Sequence, residues 1–148
     1  MLWGAITKLV LSTYSIVNKN IDSLCYLTIL DENLIPLLED VPFAKLNNIV
    51  FQQDNAPAHR AKSTIEILKK KNILTTNWPP YSPDLNIIEH VWAALKRKIR
   101  AENPISIPDL VSKIHYYWPK IVTKKYCSAI YSSMETRVKR VLRQKGKR

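Results

Sequence analysis

Glycine is scarce in this chain, two residues in 148. A glycine-rich loop that wraps a phosphate needs more than that, so nucleotide cradling of this kind is excluded. Cysteine is equally sparse. Cys25 and Cys127 lie far apart with no metal-type spacing, which reads as two reduced core thiols of an intracellular protein. No apolar run approaches the ~20 residues of a membrane-spanning helix. The apolar opening Met1–Ile6 has no basic segment before it and no small-residue cleavage site soon after, which argues against a secretory signal. Internal repeats and low-complexity segments are lacking too. The remaining shortage is of acid: 12 Asp and Glu stand against 23 Lys and Arg, a net charge of +11 with a pI near 9.7.

What is present makes a folded, basic protein. At 148 residues and 46% apolar, the chain fits one domain with a real core, and disorder over most of its length is excluded. The basic excess favours a polyanionic partner, most simply nucleic acid; the alternative is a soluble protein with a generous basic surface. Distribution favours the first. Arg137, Lys139, Arg140, Arg143, Lys145, Lys147 and Arg148 crowd the last twelve residues with no acid among them. Lys96-Arg97-Lys98 and Arg100 form a second cluster on one predicted helix. A third, Lys69-Lys70-Lys71, ends the preceding helix, where cations simply complement the helix dipole.

Hydrophobic patterning predicts an α/β chain. Leu2–Ile6 and Leu9–Val17 read as strands, with a turn at Asn18-Lys19-Asn20. From Asp22 to about Glu39 leucines recur at helical spacing, predicting one or two helices that Pro36 can break. Asn48–Gln53 is the best strand in the chain, continuously apolar through Ile49-Val50-Phe51 as a strand covered on both faces is. Arg60–Lys71 reads as an amphipathic helix with Ala61, Ile65 and Leu68 on one face. Ile73–Trp78 reads as a second buried strand, ended by Pro79-Pro80. Ser82 as N-cap, Pro83 at the first position and Asp84 in the first turn then predict a helix with an apolar stripe of Leu85, Ile88, Trp92, Leu95 and Ile99. The tail is helical: Ile107–Trp118, Lys120–Tyr131, and a last helix opened by the capping box Ser132-Ser133-Met134-Glu135.

Two carboxylates carry the chemistry. Asp54 ends an apolar strand, where a carboxylate is costly unless paired, protonated or bound to metal. Its alternative role, capping the next helix, fits less well because that helix begins several residues later. Glu89 falls at the edge of the buried face of its helix, roughly 80° from the stripe's centre at ~100° per residue. A helical Glu is commonly a surface residue, and here it can pair with a neighbouring base such as Lys96. As a pair, a strand-end Asp and a helix-borne Glu suit a divalent metal site. Mg²⁺, or Mn²⁺ in its place, is the natural ion for carboxylate, water and phosphate ligands. Asp84 reads as a helix-start residue. His59 and His90, beside the two carboxylates, read as hydrogen-bonding or phosphate-contacting groups, and Trp78 and Trp92 as core.

The runs Gln53-Asp54-Asn55-Ala56-Pro57-Ala58-His59 and Trp78-Pro79-Pro80-Tyr81-Ser82-Pro83-Asp84-Leu85-Asn86-Ile87-Ile88-Glu89-His90-Val91-Trp92, with 34 residues between Asp54 and Glu89, resemble the catalytic domain of Tc/mariner-type transposases in the Asp-Asp-Glu superfamily. Leu2-Trp3-Gly4-Ala5-Ile6 resembles that family's second strand, and Ser132-Ser133-Met134 with Arg137 its C-terminal end. Ile87 stands where the family often has proline. The resemblance implies a ribonuclease-H-like mixed sheet flanked by helices, incomplete at the N-terminus, with an α-helical C-terminal tail. On that reading residues 1–103 are the partial catalytic domain and 104–148 its basic helical extension. Asp54 is then the second catalytic Asp and Glu89 the catalytic Glu, both metal ligands of a two-ion site.

The resemblance also implies DNA as partner, transposon ends and TA-containing target DNA, handled by a homodimer; the DNA partner and the basic tail suggest a nuclear location, and neither membrane nor small-molecule cofactor is expected. Lys96, Arg97, Lys98, Arg100, Arg137, Lys139, Arg140 and Arg143 are the DNA-binding candidates. The first catalytic Asp belongs upstream of the Trp3-Gly4 segment. Asp22, Asp31 and Asp40 lie after the second strand and are not expected to replace it, and the family's N-terminal helix-turn-helix has no counterpart, so the chain looks like the C-terminal portion of a transposase. Three functions follow for test: the cleavage and strand-transfer domain of a transposase, a catalytically inactive DNA-binding remnant, and, more weakly, a ribonuclease-H-type nuclease on other substrates.

Overall fold

A computed structural model of the chain describes residues 1–8, 12–41 and 49–143. It divides into two units, Met1–Ala5 with Leu11–Ser82, and Ile6–Val10 with Pro83–Arg148.

Strands β1 (Leu2–Ile6) and β2 (Ser12–Ile16) pair in a two-stranded sheet. Met1 and Val17 exchange backbone bonds in both directions, the reciprocal pattern of an antiparallel ladder. The predicted Leu9–Leu11 start of the second strand lies outside the described residues. Asp22 caps helix α1 (Ser23–Ile29) by accepting from the Cys25 amide at 2.7 Å. A π-helical turn, Leu30–Leu34, joins α1 to α2 (Ile35–Glu39). Pro36 sits in the first turn of α2, where its missing N–H costs least, so it does not break the run.

Here the apolar continuity of Ile49-Val50-Phe51 misleads. Instead of two buried strands, the chain forms one parallel bridge, Phe51 with Thr75, and Asn48 lies outside the described residues. Phe51 and Ile73 pack against the core of Tyr26, Leu30, Leu34, Ala58 and Leu68, whereas Val50 and Leu74 on the other side are exposed. The predicted Arg60–Lys71 helix is likewise split into α3 (Pro57–Arg60) and α4 (Lys62–Lys70), because Ala61 is extended at ψ 140°. That break shifts the buried face to Thr64 and Leu68 and leaves Ile65 exposed. Thr64, fully buried, donates to the Ala58 carbonyl at 2.8 Å and so carries no unmet hydrogen bond.

The second unit is helical. A 3₁₀ turn (Pro83–Leu85) precedes α5 (Ile88–Glu102). The Ser82 hydroxyl donates back to the Pro80 carbonyl and does not cap α5, so the helix starts five residues later than the Ser-Pro-Asp signal predicts. Asn103 closes α5 in the left-handed conformation, φ 44°, which asparagine tolerates well. Helix α6 (Ile107–Ile121) opens on Ser106, whose hydroxyl accepts from the Asp109 amide, and packs along α5. The rings of Trp92 and Trp118 lie 5.6 Å apart across that contact. The two tail helices expected after Lys120 are one, α7 (Lys124–Arg143). Its Ser133 hydroxyl bonds the Ile130 carbonyl within the helix, so the predicted capping box opens no new helix. Lys145, Lys147 and Arg148 lie outside the described residues.

The candidate metal centre and basic surface

Asp54 follows the single bridge residue Phe51 and precedes α3. Its neighbour Gln53 is anchored first: the buried Tyr26 hydroxyl donates to Gln53 Oε1 at 2.7 Å, and Gln53 Nε2 donates to the His59 carbonyl at 3.4 Å. The His59 ring stacks on Tyr26 with centroids 4.3 Å apart. That places His59 Nδ1 2.7 Å from Asp54 Oδ1 and 3.3 Å from the Asp54 carbonyl. Both neighbours are acceptors, so Nδ1 carries the proton. The Ala56 amide donates to the same Oδ1 at 2.9 Å, an Asx turn. Asp54 therefore shapes the entry to α3 while Ala56 occupies its N-cap position. Asn55 ties the turn to the Trp78 carbonyl at 2.9 Å. Burial pushes the Tyr26 hydroxyl above its usual range; a hydrogen bond with Trp3 lowers it in part and the Asp54 charge raises it further, so the hydroxyl remains a donor.

Glu89 sits in the first turn of α5, where a negative charge complements the helix dipole. It is exposed, contrary to the expectation of a half-buried edge position. The face that α5 buries is centred on Val91, Ala94 and Leu95, and at ~100° per residue Glu89 lies roughly 160° round from Val91. Neither a hydrogen bond nor an ion pair engages its carboxylate among the described residues, and Lys96 does not reach it. The next residue, His90, is held on two sides by α7: Arg137 Nη1 lies 2.7 Å from His90 Nε2, and the Tyr126 hydroxyl donates to the His90 carbonyl at 2.8 Å. Desolvation, then Arg137, push the His90 imidazole below its usual range, against a smaller upward pull from Glu89.

Of the other aspartates, Asp22 caps α1 and Asp31 pairs with Lys71 at 3.0 Å, Asp40 stands at the C-cap of α2, and the backbone carbonyl of Asp84 accepts from Arg137. No group of three or more His, Cys, Asp or Glu placed to hold a metal occurs among the described residues. Asp54 and Glu89 belong to different units. As donors both fit a hard cation: Asp54 Oδ2 has no protein partner among the described residues, and oxygen ligands that leave room for water and phosphate are what Mg²⁺ and Mn²⁺ take.

Lys96, Arg97, Lys98 and Arg100 stand exposed on α5 with no ion pair among the described residues, as do Arg140 and Arg143 on α7. Lys139 is paired with Glu135 at 2.5 Å. Arg137 is turned inward. Its Nη1 donates to the Asp84 carbonyl, its Nη2 to the Ile130 carbonyl at 2.9 Å, and its Nε is buried. Sequence reasoning missed this use, since a cation in a basic run gives no sign of facing in. Both cysteines are free and buried. No described helix is long and apolar enough to cross a membrane.

Residues 4–111 match the family described as DDE superfamily endonuclease. The chain belongs to that family. Among curated DDE relatives, the Tc3 transposase of Caenorhabditis elegans is 32% identical over 99% of this chain and 44% of its own length. The Tcb2 transposase of Caenorhabditis briggsae is 27% identical over 99% of this chain and 52% of its own. The Tc1 transposase of Caenorhabditis elegans is 33% identical over 107 residues. The chain thus spans about half the length of the curated relatives it matches over 99% of its own. In fold it is similar to the Mos1 transposase catalytic domain solved with raltegravir and Mg, with a TM-score of 0.78, 20% identity, and coverage of 94% of this chain and 70% of that one. The Mos1 mariner catalytic domain by itself gives 0.77 at 19% identity. The ribonuclease-H-like fold and the Tc/mariner kinship expected from the two central motifs are therefore correct.

Proposed function

We propose that this chain carries out, as part of a Tc/mariner-type transposase, divalent-metal-dependent cleavage and strand transfer of DNA in the nucleus. The observation that carries the reading is the state of Asp54: Oδ1 is fixed by His59 and the Ala56 amide, and Oδ2 has no protein partner among the described residues. A carboxylate held in one orientation by its neighbours is a prepared oxygen ligand. Asp54 and Glu89 would hold the ions, and the relatives solved with Mg and with Mn support that choice of metals.

When bound, two such ions activate the attacking oxygen and stabilise the leaving one in phosphodiester chemistry. The chain's own residues do the rest. His59 orients Asp54, the first turn of α5 presents Glu89, and Lys96, Arg97, Lys98, Arg100, Arg140 and Arg143 offer charge to the DNA backbone. Nicking of supercoiled DNA in Mg²⁺ or Mn²⁺ tests the reading: Asp54→Asn and Glu89→Gln are each expected to reduce it to background. Nicking that survives both changes contradicts the assignment. A second reading, DNA binding without catalysis, draws on the exposed basic cluster of α5, which lies outside the carboxylates. It predicts salt-sensitive DNA binding, undiminished in Asp54→Asn, by a protein that does not nick.

A further inference from the structure

We infer that Arg137 is a positioning residue for Glu89, clamping the first turn of α5 from α7, and is not a DNA contact. The inference rests on the reading of Glu89 as a metal-holding carboxylate. Its physical basis lies within the second unit alone. The start of α5 is weakly built. Its N-cap is Ile87, which provides no side-chain hydrogen bond, and the Glu89 and His90 amides make only i to i−3 bonds, each 3.2 Å, to Asn86 and Ile87. Helix starts without a cap fray. An exposed glutamate on a fraying turn cannot hold a fixed geometry.

Helix α7 supplies what the sequence around Glu89 lacks. One guanidinium reaches the Asp84 carbonyl ahead of α5 at 3.0 Å, the His90 imidazole beside Glu89 at 2.7 Å, and the Ile130 carbonyl of its own helix at 2.9 Å. The third bond locks the fork to α7, so the other two transmit that helix's position to residues 84 and 90. Tyr126, eleven residues earlier on α7, adds the bond to the His90 carbonyl. Arginine is always charged and always a donor, so His90 Nε2 must accept, which fixes the neutral imidazole with its proton on Nδ1. Lysine has no planar fork and cannot make the three contacts at once. A guanidinium held by three protein hydrogen bonds, with its Nε buried and left without a partner among the described residues, is not in the state of a side chain that meets phosphate.

The test uses the full chain. In Arg137→Ala, hydrogen exchange at the Glu89 and His90 amides is expected to rise about tenfold or more, as for loss of one or two net hydrogen bonds. The ¹⁵N shift of His90 Nε2 should lose its hydrogen-bonded acceptor signature. The slope of log affinity for duplex DNA against log salt should not change. Arg140→Ala, as control, should leave exchange unaltered and reduce that slope by about 0.9, the value of one phosphate contact. If Arg137→Ala loses its helical signal, Arg137→Lys keeps the charge and stem, and the same rise in exchange is expected. Unaltered exchange in a folded Arg137 variant, or a slope lowered by about 0.9 in Arg137→Ala, overturns the inference. Mn²⁺ separates this from the reading beneath it. Saturable line broadening at Glu89 in the unaltered chain supports that reading, and its weakening relative to Asp54 in Arg137→Ala supports the positioning role. Absence of broadening in the unaltered chain overturns the metal reading and with it the purpose of the clamp.

Discussion

At Asp54 the two carboxylate oxygens have different tasks. Oδ1 accepts from His59 and from the Ala56 amide, while Oδ2 has no protein partner among the described residues. His59 is itself set by the Tyr26 ring and by Gln53, which receives the Tyr26 hydroxyl. Groups that orient a ligand in this way are typically worth 10–100-fold in metal affinity. His59→Ala should therefore weaken Mn²⁺ binding by about 10–100-fold in a direct titration with little change in fold, and undiminished affinity would deny His59 an orienting role. Asp54 stands out in the sequence as the carboxylate after an apolar run, but the burial expected of a strand end is absent: the run makes one bridge, at Phe51, and Asp54 is exposed. The inward turn of Arg137 was not legible in the sequence, because the same letter in a basic run serves a phosphate or a carbonyl equally well. The exposure of Glu89 is hidden in the sequence for a similar cause: Leu85 reads as part of one stripe with Ile88, Trp92 and Leu95, although it belongs to the 3₁₀ turn that precedes α5.

Among elements, local signals held where they act within one turn. Ser106 caps α6 as Ser, Thr, Asn and Asp do, and Asp109 answers it by accepting from the Ile105 amide at 3.0 Å and from Lys113 at 2.8 Å. Ser106→Ala should lower the stability to urea unfolding by about 1 kcal/mol. The Lys113 and Ile105 hydrogen bonds hold the Asp109 carboxyl below its ordinary value of 3.8. A depressed folded pKa gives stability that is present above the unfolded value and lost as pH falls through the folded one, so the Asp109 contribution should fade only in acid below the usual carboxylate range. A cost of Ser106→Ala near zero would show that packing on α5 alone sets the helix start. Signals that depend on partners fared worse. Ile49-Val50-Phe51 and Ile73–Trp78 have strand composition, yet only Phe51 and Thr75 bridge, since apolar residues on a second face need neighbours that the local sequence cannot specify. Ser132–Glu135 reads as a helix start, but a continuous α7 absorbs it.

For the whole molecule, charge and motif spacing were the most legible features. An excess of 11 positive charges points to a polyanion whatever the fold, and the DDE family match agrees. Six of the eight cations assigned to DNA remain exposed without an ion pair among the described residues, while Arg137 and Lys139 are engaged within the protein. What no charge count conveys is that the basic C-terminal helix also braces the turn bearing Glu89.

The central claim is that Asp54 and Glu89 hold divalent metal, and Mn²⁺ titration of the full chain with paramagnetic broadening read amide by amide tests it most directly. The account predicts saturable broadening centred on Asp54 and Glu89, lost in Asp54→Asn with Glu89→Gln. Broadening that is absent, or that persists elsewhere in the double variant with unchanged affinity, contradicts it.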